Sequence, residues 1–598
     1  MGVIRQSGAH FGRHRSESLI DGGQFRRSIS GMSVKRIPKL GAESAAALIG
    51  TAFSGILLVL TAMNAGPLWR DEINTLNLAR MPSLRDIWYN LQFDSCPLLW
   101  PLLVRGCSML GLTEGDMGIR ILGLGIGLFF LISVWLCQRW IGGHTPTLSI
   151  ALLAGLPAFI FIVGANRAYG LAGCLLVLSF GKTWQVLESP TKSRILSAGF
   201  ICLLFAQCVY YDVIFLWAML AAGALVAIRR HQWKILWTLA GIGVVAGASL
   251  FIYLPIVHRV PKYLAFWCSP FFDPATLWNG LRDALAARSS ANLDGTYGPQ
   301  IWIWSGLWLA GIIVAVIIQQ RKHVLQTAKP EVASKSPIPE RSDLALFCVT
   351  GMVLGTIGYF AFLLKLQFFL QPWYYVEVLI LCAISLDGIL TASWSALHPW
   401  GLLRIGFLVM MMILNAGPAW AEAHTRRSNL DVVAAFLSHN ASAGDLIVVQ
   451  DAWEGLTFNR YYRGQAQWLS VPPIDSHEVH RIDLVIAEMN QPEAMTPVLR
   501  AITITLTSGH DVWLVGSIPI ARWRDAPPGQ TPLPPRPSEM PTGWWMGSYL
   551  SWWNQQVTTL LLDHAEQEKV ETIAAPGPVN HFEDVSVVRF AGYKPGTE

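Results

Sequence analysis

Two adjacent carboxylates, Asp71 and Glu72, follow the first long apolar run, in Leu68-Trp69-Arg70-Asp71-Glu72-Ile73-Asn74. Acidic side chains placed where an apolar helix surfaces are costly, and a carboxylate there is suited to acid–base chemistry. Asp94, Arg120, Arg167, Asp212, Arg259, Lys262, Lys365 and Glu377 fall beside the ends of other apolar runs. Carboxylates and cations from separate helices at one depth point to a shared polar cavity. The plainer readings are helix capping and surface charge, and for Arg259 and Lys262 side chains that reach up to the interface.

The elements that must position these groups are membrane helices. The chain is 53% hydrophobic and 14% charged, with a mean hydropathy of +0.41. A soluble domain is about a quarter charged, so the composition is that of a polytopic membrane protein. Its 26 Trp residues suit membrane–water interfaces, and a net charge of +5 over 598 residues gives no reason to expect nucleic acid as a partner. The nine cysteines are scattered, most lie inside apolar runs, and none has metal-type spacing, which reads as small core residues.

Apolar runs long enough to span the bilayer occur near 46–64, 118–138, 147–164, 168–187, 193–209, 212–229, 235–256, 301–320, 344–364, 373–391 and 402–420, about eleven in all. Residues 1–45 form a basic tail with Arg5, Arg13, Arg15, Arg26, Arg27, Lys35, Arg36 and Lys39. Placing this tail in the cytoplasm puts Arg139, Lys192, Arg194, Arg229, Arg230, Lys234, Arg321, Lys322 and Arg404 in inner loops, the positive-inside pattern. An odd number of spans then leaves the carboxy terminus outside, which in a bacterial inner membrane is the periplasm. Two outer loops are long, 65–117 and 257–300. The first has Leu84, Ile87, Trp88 and Leu91 at the spacing of an amphipathic helix that could lie on the membrane. The second offers Asp273 and Pro274 as the cap and first position of a helix.

The sequence turns soluble beyond the membrane domain of 46–421. Residues 422–526 read as a small periplasmic α/β domain, with a helix at Leu430 to Leu437 and strands at Leu446–Val449, Leu484–Ile486 and Val512–Val515. Asp451, Trp453 and Glu454 follow the first strand, a favoured place for sites in α/β sheets, so the domain is expected either to dock an acceptor or to serve as a structural cap. A Pro- and Trp-rich extension covers 527–598. The fold expected is a polytopic α-helical membrane protein with a small α/β domain at its carboxy end.

Four segments in order resemble the GT-C class of membrane glycosyltransferases, especially family 39 with the protein O-mannosyltransferases and lipid A aminoarabinose transferases. They are Trp69-Arg70-Asp71-Glu72, Asp94-Ser95-Cys96-Pro97-Leu98-Leu99, Gly115-Asp116-Met117-Gly118-Ile119-Arg120-Ile121-Leu122 and Asn166-Arg167-Ala168-Tyr169-Gly170. The match covers roughly 50–180. Cys96 and Ala168 stand where relatives have prolines, and Gln371-Pro372-Trp373-Tyr374-Tyr375 departs from the family's late Arg-Tyr, so contacts from the late helices do not transfer.

The resemblance implies transfer of one hexosyl or pentosyl unit, with inversion, from a polyprenyl-phosphate donor to a lipid, glycan or protein acceptor. The match gives Asp71 the role of general base. Glu72 would orient it or join it in holding a divalent cation, the only cofactor implied. Arg120, Arg167 and Lys365 would meet the donor phosphate, and Asp94 and Tyr169 would complete the substrate site. For the two arginines the alternative is an ion pair with Asp71, Glu72 or Asp94. A reading from a different class is a transporter or flippase for lipid-linked saccharide or small solutes. The absence of a convincing internal repeat, and charges gathered at one face, weigh against that reading.

Overall fold

The computed structural model describes residues 41–142, 145–259, 272–286, 288–292, 297–328, 338–367, 370–393, 398–516 and 546–595. The basic tail up to residue 40, Lys262 and the Pro-rich stretch 527–541 lie outside the described residues.

Among the described residues nine helices are long and apolar enough to cross a membrane: Ala42–Asn64, Gly115–Ile141, Ala168–Glu188, Asp212–Arg229, Trp233–Val257, Gln300–Arg321, Arg341–Leu366, Pro372–Ser393 and Gly401–Ala423. The protein is an integral membrane protein, mostly helical. Two of the eleven expected runs form shorter elements. The run at 147–164 is split into Thr147–Leu153 and Pro157–Val163, with Pro157 starting the second helix where its missing N–H does no harm. The run at 193–209 is a helix of 15 residues, Lys192–Ala206, against about 20 needed to span the hydrocarbon.

Ala168–Glu188 and Pro372–Ser393 are buried along most of their length and form the centre of the bundle, whereas Gln300–Arg321 and Gly401–Ala423 keep a single buried stripe. Gly123 is where Gly115–Ile141 crosses the turn before Ala168–Glu188: a Cβ there would collide with the Gly164 carbonyl oxygen. One end of the bundle carries ion pairs of Arg230 with Glu188 at 2.9 Å and Asp343 at 2.8 Å, and of Arg404 with Glu43 at 3.0 Å. Asp71 and the soluble part belong to the other end.

The soluble part is built on a five-stranded sheet of order β2-β1-β3-β5-β4, comprising β1 (Leu446–Val449), β2 (Gln467–Ser470), β3 (Val512–Gly516), β4 (Ala565–Glu571) and β5 (Ser586–Tyr593). β1 runs parallel to β2 and β3, and β5 pairs antiparallel with β3 and β4. Side chains alternate across it. Ile447, Val449, Trp513 and Val515 meet Leu430, Val433 and Leu437 of the helix Leu430–Asn440. Leu446, Val448, Val512 and Leu514 meet Val498, Ile502 and Leu506 of Thr496–Thr507 and Trp553, Val557 and Leu561 of Met546–His564.

Three sequence expectations change here. Leu484–Ile486 is helical, within Ile482–Met489, because Ile482, Val485 and Met489 recur at helical rather than alternating spacing and are buried on one face. The described part of 527–598 is no separate extension: it supplies a packing helix and both β4 and β5, and Trp553 belongs to the sheet's core. The amphipathic helix at Leu84–Asn90 turns Ile87, with Leu91 just beyond it, onto Tyr253, Ile256 and Val479 rather than leaving these two to a membrane surface, while Leu84 stays exposed. The cap at Asp273 forms as expected, its side chain accepting from the Thr276 amide at 2.7 Å ahead of Pro274.

Candidate active site

The helix Arg70–Ala79 opens directly on the two carboxylates, so its first turn sends them in different directions. Glu72 is fully buried and closed in by donors. Arg120 Nη1 reaches its two oxygens at 2.6 and 2.8 Å, and the Asn166 and Trp69 amides donate at 2.9 and 3.4 Å. Arg120 also donates from Nη2 to the Pro67 carbonyl at 2.6 Å, so the pair pins the start of this helix to the helix Gly115–Ile141.

Asp71 faces an open space. Its side chain is 28% exposed, and Arg167 stands beside it, donating from Nη1 to the Asp71 carbonyl at 3.1 Å and to Thr75 Oγ1 at 2.9 Å. Arg167 further donates from Nη2 to Ser95 Oγ at 3.1 Å and pairs with Asp94 Oδ1 at 3.3 Å. Asp94 is itself held by Asn74 Nδ2 at 3.3 Å, Thr75 Oγ1 at 2.9 Å and the Ser95 amide at 2.7 Å. Burial alone would push the Asp71 carboxyl up, but Arg167, a hydrogen bond from His480 and Arg70 outweigh it and hold it well below the usual range. Burial likewise opposes the charge on Arg167, and Asp94 and Asp71 more than restore it. Both groups are therefore ionised at neutral pH.

The soluble part closes the space. His480 Nε2 lies 3.3 Å from Asp71 Oδ1, its own backbone amide donates to Asn74 Oδ1 at 2.8 Å, and its ring stands edge-on to Trp453 with centroids 5.2 Å apart. Asp451, at the carboxyl end of β1, accepts from the Trp453 amide at 2.8 Å; burial pushes its carboxyl up, against the pull of Arg70. Arg70 is fixed by the loop before β5: its amide donates to Glu583 Oε1 at 2.9 Å and its Nη1 to the Phe582 carbonyl at 3.4 Å. Burial raises the Glu583 carboxyl to about 7 although Arg70 opposes the shift. Farther out, Asp116 accepts from Arg460 at 2.7 Å and from the Tyr461 hydroxyl at 2.5 Å, tying the membrane helix Gly115–Ile141 to the soluble part.

Together these residues enclose a cavity of about 450 Å³. Arg70, Asp71, Asp94, Arg167, Asp451 and His480 line its polar end, while Tyr211, Tyr359, Phe362, Leu363, Leu366 and Trp373 line an apolar one. Of the residues singled out from sequence, Asp71, Asp94, Arg167 and Tyr169 line this cavity, and Glu72, Arg120 and Lys365 do not. Lys365 is exposed, and Asp212 sits buried behind Tyr211 with its Oδ2 accepting the Val209 amide at 2.9 Å. A divalent cation finds no donor set here: the Glu72 oxygens are taken up by Arg120 and two amides, and among the described residues no three His, Cys, Asp or Glu side chains converge.

Sequence reading passed over His480 and Arg70. Asp451 and Trp453 follow strand β1, and that position did mark them. His480 lies on the loop after the parallel strand β2, and the same rule applied to β2 would have led to it.

No family model and no curated protein sequence matches the chain. Among solved structures it is similar to the oligosaccharyltransferase of Archaeoglobus fulgidus in the apo form, with a TM-score of 0.44 and 12% identity over 81% of this chain and 70% of that one. It is also similar to ArnT from Cupriavidus metallidurans bound to undecaprenyl phosphate, with a TM-score of 0.44 and 13% identity over 90% of this chain and 97% of that one. Likenesses of this size carry no weight for the chemistry, which must come from the residues.

Proposed function

We propose that the protein is a membrane glycosyltransferase that moves one sugar, with inversion, from a polyprenyl-phosphate donor to an acceptor hydroxyl, with Asp71 as the general base. The observation that carries this reading is the two-ended cavity: an ionised carboxylate and a guanidinium at one end, aromatic and aliphatic side chains at the other. An acceptor hydroxyl must lose its proton as it attacks, and Asp71 is the partly exposed, ionised carboxylate at that end. The leaving lipid phosphate gains charge as the sugar departs, which Arg167 and Arg70 are placed to balance. The isoprenoid would lie against Tyr359, Phe362 and Leu366. The arginines clustered at the far end of the bundle support an outer, periplasmic position for the cavity in a bacterial inner membrane. Glu72 and Arg120 act in this reading as the brace of the catalytic helix.

The test is extraction of lipid-linked sugars and surface glycans from cells carrying the intact chain, Asp71→Asn, or neither. Loss of the same single sugar in the null and the Asp71→Asn cells, with the variant present at normal level, supports the reading. A variant that behaves like the intact chain removes Asp71 from the role of base. A null that changes no glycan while a lipid-linked saccharide builds up on one side of the membrane favours the flippase.

A further inference from the structure

Asp71 has two carboxylate oxygens, and only one of them can face an acceptor if the base is to be oriented. His480 occupies the other. Its Nε2 lies 3.3 Å from Oδ1, and because an ionised carboxylate only accepts, Nε2 carries the hydrogen. The residue is itself held, its backbone amide by Asn74 and its imidazole by the edge-on contact with Trp453. Its Nδ1 is buried and has no hydrogen-bond partner among the described residues. A loop of the soluble part has been brought to within bonding distance of a carboxylate on a membrane-domain helix.

We propose that His480 is a positioning residue for the base, fixing Asp71 Oδ1 so that Oδ2 receives the acceptor proton. The inference rests on the transferase reading. As the acceptor oxygen bonds to the anomeric carbon, the bond from that carbon to the phosphate oxygen breaks and the lipid phosphate leaves with the electron pair. The hydroxyl proton goes to Asp71 Oδ2 and from there to water. Oδ1 meanwhile accepts from Nε2, which leaves Oδ2 to the acceptor.

The experiment uses full-length protein in detergent, added to membranes from cells lacking it, where unspent donor and unmodified acceptor remain together. Gain of one sugar is followed by mass spectrometry at pH 8, with thermal unfolding of each variant as a control. His480→Gln keeps an N–H near the Nε2 position and is expected within about threefold of the intact rate. His480→Phe keeps a ring without the N–H and is expected to be tenfold or more slower with an unchanged unfolding midpoint. Should His480→Phe fail to fold, His480→Ala takes its place. A His480→Phe as fast as the intact chain, or a His480→Gln as slow as His480→Phe, overturns the inference while leaving Asp71 as base. An intact protein that transfers no sugar overturns the transferase reading, and the inference with it.

Discussion

Glu72 and Arg120 form a buried ion pair at 2.6 Å, and this contact separates the roles of two carboxylates that are neighbours in the chain. Asp71 is left facing the cavity, and Glu72 holds the helix that presents it. Removing one partner of a buried pair strands the other charge without solvent, which costs about 3–5 kcal/mol. Glu72→Ala is therefore expected to lower the unfolding midpoint in detergent and the yield of folded protein. Asp71→Asn should unfold like the intact chain while losing activity by about a hundredfold or more. Equal midpoints for Glu72→Ala and Asp71→Asn would show that the pair is not a brace.

Arg167 acts through the geometry of its fork. One nitrogen serves the Asp71 carbonyl and Thr75, and the other serves Ser95. Lysine keeps the charge but cannot hold these partners in one plane. Arg167→Lys is expected to reduce transfer by about tenfold to a hundredfold while changing the unfolding midpoint less than Glu72→Ala does. A rate within twofold of the intact chain would mean that charge alone suffices.

Membrane helices and their order were largely legible in the sequence because hydropathy acts on runs of about 20 residues and each run reports on itself. Which neighbour faces the cavity was not legible. Asp71 and Glu72 have the same chemistry and differ only in where the first turn of one helix points them, and that depends on Arg120 and Asn166 on other elements. His480 was hidden for a related reason. It reaches the site through Asn74, 406 positions away in the chain, and the strand whose loop carries it, β2, was not read from the sequence. The strand misread at Leu484–Ile486 failed on period, since three apolar residues in a row fit a short strand until the buried Ile482 and Met489 extend them to helical spacing.

Glu583 gives a pH dependence whose sign is set. Its carboxyl is raised to about 7 from 4.5 in the unfolded chain, so the folded state holds the proton more tightly than the unfolded one. The stability this contributes is fully present below about pH 4.5 and is lost as pH rises through 7. Glu583→Gln carries no such titration. The unfolding midpoint of the intact chain should fall relative to Glu583→Gln between pH 5 and 8, and the two should draw together again at the acid end. A difference that stays constant across that range would place the Glu583 titration elsewhere.

The apolar end of the cavity makes a prediction that separates lipid binding from catalysis. Phe362 lines that end, while Lys365, three residues on, is exposed and outside it. A ligand that binds only the folded protein raises the unfolding midpoint in proportion to its affinity, so a polyprenyl phosphate titrated into the full chain in detergent reports on this end directly. Phe362→Ala removes an aromatic contact with the isoprenoid and is expected to weaken the lipid about tenfold, equivalent to about 1.4 kcal/mol. Lys365→Ala is expected to bind like the intact chain, although its charge made it a phosphate ligand on sequence grounds. Asp71→Asn should bind as tightly or tighter, because it removes a negative charge next to the phosphate. The opposite ranking, with Lys365→Ala weak and Phe362→Ala unchanged, would move the lipid out of this cavity and onto the outer surface of the helix Arg341–Leu366.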